Sequence, residues 1–140
     1  VDEKGKKQKP IVIHRAILGS FERFIGILLE HTQGNLPLWL SPVQAAVINV
    51  GANQRKYAEK VYELLKSGGI RSELHTDNET VSKRIRDAEI QKIPYVLVVG
   101  EKEMANKTVN VRHYKKGQLG EIELEKLLAK IKSEIENKTF

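Results

Sequence analysis

From residue 44 to residue 137, short apolar segments alternate with segments of helical periodicity, and this alternation strongly restricts the possible folds. Residues 45–50 and 95–99 are nearly continuous apolar runs, which is typical of parallel strands buried on both faces. The predicted order is strand, helix, strand, helix, strand, strand, helix. This order predicts an α/β protein of three layers, in which helices flank a mixed, mostly parallel sheet and the crossovers are right-handed.

Turn and cap residues set the bounds of the remaining elements. Helices are predicted over residues 53–66, 79–91 and 121–137, and further strands over residues 70–76 and 108–114. Residues 100–107 and 115–117 are predicted turns, and Asp77 or Asn78 is the predicted N-cap of the second helix. Ligands of such sheets bind beyond the carboxyl ends of the parallel strands, which here lead into polar loops at residues 51–53, 75–78 and 100–103.

Upstream of the sheet, residues 11–32 indicate a short strand at residues 11–13 followed by an amphipathic helix. Ser20 is the predicted N-cap, and Arg23 occupies the position where a capping box has Glu or Gln. A cation in the first turn of a helix interacts unfavourably with the helix dipole. Arg23 is therefore either a solvated surface residue or a ligand for an anion such as phosphate.

Composition excludes several classes of function. The 140 residues contain no cysteine, so disulfides and thiol catalysis are excluded. The net charge of +6 favours a polyanionic partner. No apolar run approaches the roughly 20 residues of a membrane span, and the histidines lack the paired spacing of zinc ligands. We expect a cytoplasmic protein without membrane association.

Residues 14–26 (His-Arg-Ala-Ile-Leu-Gly-Ser-Phe-Glu-Arg-Phe-Ile-Gly) resemble the third signature motif of class II aminoacyl-tRNA synthetases. Together with residues 37–44 (Pro-Leu-Trp-Leu-Ser-Pro-Val-Gln), they are similar to the threonyl-tRNA synthetase family in particular. The resemblance implies that Arg23 binds a phosphate of ATP, which such enzymes use with magnesium, and that Ser20 lines the same pocket. It also implies that His14 is one of three protein ligands of a zinc ion that recognises threonine. The other two ligands would lie upstream, so we expect no bound cofactor in this chain by itself.

Three further segments resemble the anticodon-binding domain shared by the class II synthetases for threonine, proline, histidine and glycine. They are residues 82–88, 93–95 and 98–103. The resemblance implies two sets of RNA contacts. The residues that would contact anticodon bases are Asn78, Arg86, Glu103 and Arg112, and those that would contact phosphates are Lys83, Lys102, Lys115 and Lys116. The first set combines hydrogen-bond donors and acceptors, as reading unstacked RNA bases requires.

Each of these residues also has an ordinary structural interpretation. Arg86 could form an ion pair with Glu79 or Glu89 on its own helix. Glu103 could be a solvated turn residue, and the two lysines at 115 and 116 could be a normal hairpin tip.

We therefore expect three parts: residues 1–36 as a remnant of a class II catalytic domain, residues 37–43 as an extended linker held by Trp39, and residues 44–140 as the anticodon-binding domain. The chain would be the C-terminal piece of a homodimeric synthetase that forms threonyl adenylate and charges threonine tRNA. The expected partner is the anticodon stem-loop of that tRNA. By itself the piece is expected to be inactive, because most of the adenylate pocket would be missing.

Two alternatives remain. The first is a free-standing RNA-binding or accessory subunit with a borrowed anticodon-binding module, although such a protein would not need an ATP-binding arginine. The second is a thioredoxin-like or flavodoxin-like fold. The absence of cysteine and of a glycine-rich phosphate loop argues against redox and flavin chemistry.

Overall fold

The computed structural model describes residues 1–76 and 79–139. The strands are β1 (Ala45–Asn49), β2 (Ser72–His75), β3 (Tyr95–Val99), β4 (Thr108–His113) and β5 (Gly117–Glu123). The helices are α1 (Phe21–Thr32), α2 (Arg55–Ser67), α3 (Val81–Ile90), α4 (Glu101–Asn106) and α5 (Leu124–Glu136). The order across the sheet is β2-β1-β3-β4-β5. Because β1 pairs in parallel with β2 and β3, whereas β4 is antiparallel to β3 and β5, the prediction of a mixed α/β sheet is confirmed.

Two apolar layers pack the helices on the sheet. The larger joins one sheet face to α2 and α5, through residues such as Val47, Leu97 and Leu127 that are 0% exposed. The smaller layer joins the other face to α3, through residues such as Ile48 and Ala88. Helix α3 packs on β1 and β3, and among the described residues this layer includes none from β4 or β5, where Gln118, Glu121 and Glu123 are exposed. One side of the antiparallel half of the sheet is therefore open.

The prediction for residues 100–123 is wrong in two places. Residues 117–123 form β5, although a turn and the start of the last helix were expected there. An extra residue in β5 opposite Val111 and Arg112 breaks the period-two pattern, so Leu119 and Ile122 pack on the same core although they lie three positions apart. Such spacing favours a helical interpretation. In the predicted turn after β3, Glu101–Asn106 instead forms the short helix α4.

The predicted strand at residues 11–13 does not form. Ile11 and Ile13 are 92% and 86% exposed, and a strand needs a neighbouring strand to satisfy its backbone groups. The helix that follows does form. Its N-cap is Ser20, as predicted, since Ser20 Oγ accepts the N–H of Arg23 at 3.3 Å. None of the α1 side chains is buried, and Phe21 is 79% exposed.

Residues 37–43 do not form the extended linker that the sequence predicts. The chain turns at Pro37, whose carbonyl accepts the N–H groups of Leu40 and Ser41. Arg71 attaches this segment to the sheet, since its guanidinium donates to the carbonyl oxygens of Trp39, Ser41 and Pro42 at 2.7–3.1 Å. The half-buried ring of Trp39 lies 5.8 Å from the Lys138 ammonium.

His113 on β4 is a buried histidine that organises the β4–β5 hairpin. Its Nδ1 accepts the N–H groups of Lys115 and Lys116 at 3.1 and 3.3 Å, and its ring meets the Tyr95 ring edge-on at 4.8 Å. Burial lowers the pKa of His113, and the nearby Lys116 ammonium lowers it further. The folded chain therefore favours the neutral imidazole, which can accept these hydrogen bonds.

We expect the free energy of unfolding to fall as the pH drops below about 6.5, the ordinary pKa of histidine. The depressed pKa of His113 contributes stability that is fully present above the unfolded-state pKa and is lost as the pH falls through the folded-state pKa. Urea unfolding at pH 7.5 and at lower pH, for the wild type and His113→Gln, measures this contribution. Identical pH dependence in the two proteins would contradict it.

Candidate nucleic-acid interface

The open side of the antiparallel strands carries polar side chains, and we call it the open face. Directly paired residues of neighbouring strands point to the same side of a sheet. Asn110 and Arg112 on β4 pair with the α3-side residues Val98 and Val96, and they pair in turn with residues of β5. The open face consists of Thr108, Asn110, Arg112, Gln118, Glu121 and Glu123. Helix α3 forms a wall along one side of it.

Glu121 is held on the open face by two neighbours. Its carboxylate accepts hydrogen bonds from the Thr108 hydroxyl and from Asn106 Nδ2. These bonds, that of Thr108 foremost, lower the pKa of Glu121. The acceptor is therefore ionised and oriented at neutral pH.

Arg112 lies between the open face and α3. Its Nη1 is 3.6 Å from Oε1 of Glu89, and its side chain is 40% exposed. A groove of about 310 Å³ beside it is also lined by Asn35, Lys92 and Tyr114. Arg112 pairs with Val96, the second residue of β3. It therefore lies near the amino ends of the parallel strands rather than at their carboxyl ends. Arg112, which was predicted to contact bases, therefore does not lie at the edge where ligands of such sheets were expected.

Glu103 lies at the carboxyl edge of the sheet. Its Oε2 accepts the N–H of Gly100 at 2.9 Å, so it is more than a solvated turn residue. Glu103 and Lys102 line a groove of about 560 Å³ whose other wall is residues 50–54, the loop after β1. Along β4, the four residue steps from Thr108, beside α4, to Arg112 span about 13 Å. Glu103 and Arg112, two of the four residues predicted to contact bases, thus lie at separate positions in the domain.

The α3 residues of the predicted set point to solvent. Lys83 pairs with Glu79 one turn away, and the hydrogen bond between them raises the pKa of Lys83. Within the described residues, Arg86 forms an ion pair with neither Glu79 nor Glu89. Glu79 pairs with Lys83, and Glu89 pairs with Arg112. Asn78 and Asp77, the two predicted N-caps of α3, lie outside the described residues. The N-cap of α3 is Thr80, whose Oγ1 accepts the N–H of Lys83 at 3.3 Å.

The two lysines of the β4–β5 hairpin point in different directions. The Lys115 ammonium lies 5.5 Å from the centre of the Tyr114 ring, which lines the groove next to Arg112. Lys116 lies 4.0 Å from Glu134 on α5, which packs on the opposite side of the sheet. Of the two, Lys115 is the better placed to reach a ligand on the open face.

Sequence reasoning missed the structural role of Arg84. It is 5% exposed, and its guanidinium donates to Asn49 Oδ1, to the Asn49 carbonyl and to the His75 carbonyl at 2.7–3.0 Å. It thereby joins α3 to the carboxyl ends of β1 and β2. The available signal was its position four residues before Ala88, on the apolar stripe of the helix.

The residues predicted from the upstream motif are exposed. His14 and Arg23 are solvent-accessible, and Ser20 caps α1. Among residues 1–76 and 79–139, no three histidine or acidic side chains are grouped closely enough to hold a metal ion. His14 therefore has no metal-binding partners there, and the described residues do not fit zinc by themselves. No helix in this part of the chain has the length and apolar character needed to cross a membrane.

Residues 44–134 match the family model described as "Anticodon binding domain". The chain is 53% identical over 138 residues to a threonine–tRNA ligase of Aquifex aeolicus and 48% identical over 138 residues to one of Chlorobium chlorochromatii. Both alignments cover 99% of this chain but only 22% and 21% of the relatives. The chain thus spans about a fifth of the length of these relatives.

Two solved structures share the fold. The RNA binding domain of threonyl-tRNA synthetase from Cryptosporidium parvum matches with a TM-score of 0.78 and 38% identity, over 86% of this chain and 30% of that one. Prolyl-tRNA synthetase from the same organism matches with a TM-score of 0.71 and 22% identity, over 82% of this chain and 26% of that one. At the second level of identity, the likeness concerns the fold alone.

Proposed function

The chain belongs to the anticodon-binding domain family, and from this we propose that residues 44–140 bind the anticodon loop of threonine tRNA as part of a threonine–tRNA ligase. The observation that carries the proposal is the open face, which presents polar side chains and lies outside the layer packed by α3. The net charge of +6 favours a polyanionic partner such as RNA. The alternative of a free-standing accessory subunit has no support among the relatives named above.

The chemistry of the proposed contacts suits unstacked RNA bases. Arg112 and Arg86 donate hydrogen bonds in pairs or stack on bases, Glu103 accepts from base N–H groups, and Asn78 can do both. Four lysines that would hold phosphates position the loop without reading its sequence. They are Lys83, Lys102, Lys115 and Lys116.

We also propose roles for residues 1–36 within a longer enzyme. Arg23 would bind an ATP phosphate beside Ser20, at the first turn of α1, where backbone N–H groups also favour an anion. His14 would supply one zinc ligand, with the others coming from outside the described residues. That enzyme would be homodimeric and cytoplasmic, using ATP and magnesium to form threonyl adenylate before charging the tRNA.

The purified chain is expected to bind the threonine anticodon stem-loop more tightly than loops in which one anticodon base is changed. If all four lysines contact phosphates, the slope of log K against log salt concentration should be about −3. Fluorescence anisotropy at several salt concentrations, with each anticodon base varied in turn, measures both quantities. Equal affinity for all loops at every salt concentration would contradict the proposal.

A further inference from the structure

Gly100 stands where the backbone does not require glycine. Its φ and ψ of −110° and −168° belong to the extended region, which any residue adopts. A Cβ placed on it, however, would lie only 2.8 Å from Oε2 of Glu103 and 3.6 Å from the Val50 side chain. Any larger residue would therefore displace the Glu103 carboxylate while leaving the backbone unstrained.

The position of that carboxylate depends on Gly100 in a second way. Oε2 of Glu103 accepts the Gly100 N–H at 2.9 Å, which holds the side chain in one orientation. Across the described part of the chain, Oε1 of Glu103 has no hydrogen-bond partner. Glu103 thus presents a single free acceptor at the groove shared with residues 50–54.

The loop after β1 repeats this arrangement without a charge. The Gly51 N–H donates to Oε1 of Gln54 at 3.0 Å, and a Cβ on Gly51 would lie 2.9 Å from the same oxygen. A neutral glutamine is therefore sufficient to make this backbone contact. The negative charge of Glu103 is not needed for the contact and is available for a ligand.

We propose that Gly100 is a positioning residue for RNA recognition. By lacking a Cβ, it allows Glu103 to bind the backbone through Oε2 and to offer Oε1, in a fixed direction, to an N–H group of an unstacked anticodon base. The inference rests on the proposed function, that the domain binds the anticodon loop. It adds that Gly100 sets the orientation of the Glu103 carboxylate, which contacts a base.

The test compares Gly100→Ala with the control Gly68→Ala, which lies after α2 and away from the groove. Both add one methyl group to a glycine with a negative φ, and both press on a nearby side chain, which is Glu103 for Gly100 and Lys132 for Gly68. Dissociation constants for stem-loops with each anticodon base varied should show that Gly100→Ala loses about tenfold discrimination at one anticodon position. Gly68→Ala should keep the wild-type discrimination.

A third variant separates the charge from the backbone contact. In Glu103→Gln, the amide oxygen can accept from the Gly100 N–H, as Gln54 accepts from Gly51. The other atom then becomes a donor, so preference at the same anticodon position should shift toward a base that presents an acceptor. Thermal unfolding of all variants should stay close to that of the wild type, and this variant tests the proposal even if Gly100→Ala does not fold.

The outcomes are distinguishable. A wild-type chain without preference for any anticodon overturns the proposed function, and this inference with it. If the wild type discriminates and Gly100→Ala discriminates equally well, only the inference fails. It also fails if Gly68→Ala loses as much discrimination as Gly100→Ala, or if Glu103→Gln leaves the base preference unchanged.

Discussion

Replacing Arg84 by alanine is expected to lower the free energy of unfolding by about 3 kcal/mol or more, because it leaves buried acceptors without a donor. The guanidinium of Arg84 supplies Asn49 Oδ1, the Asn49 carbonyl and the His75 carbonyl, and the side chain is 5% exposed. Among the described residues, no other side chain of α3 donates hydrogen bonds to the carboxyl ends of both β1 and β2. Urea unfolding followed by circular dichroism measures the change.

A matched control lies two residues further along the same helix. Arg86 is exposed, so Arg86→Ala should change the free energy of unfolding by no more than about 0.5 kcal/mol. Arg84→Lys should fall between the two, because an ammonium cannot reproduce the planar fork that reaches both carbonyls. If Arg84→Ala were as stable as Arg86→Ala, the guanidinium network would have no structural importance.

Replacing Arg112 by alanine is expected to weaken binding of the threonine anticodon stem-loop by roughly 10- to 100-fold and to relax discrimination at one or more anticodon bases. Arg112 carries several N–H donors beside the groove on the open face, and its only ion-pair partner in the described chain is Glu89 at 3.6 Å. An exposed pair of this kind contributes little to stability, so the fold should be retained. Binding measurements with each anticodon base varied test the expectation.

Lys115→Ala is the matched control for charge. It removes one cation from the hairpin that follows β4, so it should weaken binding to all loops to a similar extent and make the salt slope shallower by about 0.7. Glu89→Ala removes the partner of Arg112 but keeps its donors, so discrimination should persist. Unchanged discrimination in Arg112→Ala, with the affinity reduced only as in Lys115→Ala, would show that Arg112 contacts phosphates rather than bases.

Some local features were predictable because their causes lie within a few residues. Ser20 caps α1 through the N–H three positions later, and the apolar runs of β1 and β3 reflect burial on both faces. In contrast, the strand at residues 11–13 was wrong because a strand exists only where another strand pairs with it. The pattern of apolar residues there carries no information about whether such a partner is present.

The candidate interface was also predictable only in part. A resemblance in sequence brought Arg86, Glu103 and Arg112 into one set, but only the sheet register showed that Arg112 lies in the amino half while Glu103 lies at the carboxyl edge. The bulge that disguises β5, and the burial of Arg84 among backbone carbonyls, depend on residues from other elements.

The amino-acid sequence by itself determined the order of strands and helices over residues 45–99 and the family of the domain, because periodicity, caps and motifs are properties of neighbouring residues. Only the tertiary structure decided which sheet face stays uncovered, which arginine is buried and which remains available, and how Gly100 orients Glu103. These outcomes arise from contacts between segments far apart in the chain, where pairing register and side-chain space, rather than local preference, set the free energy.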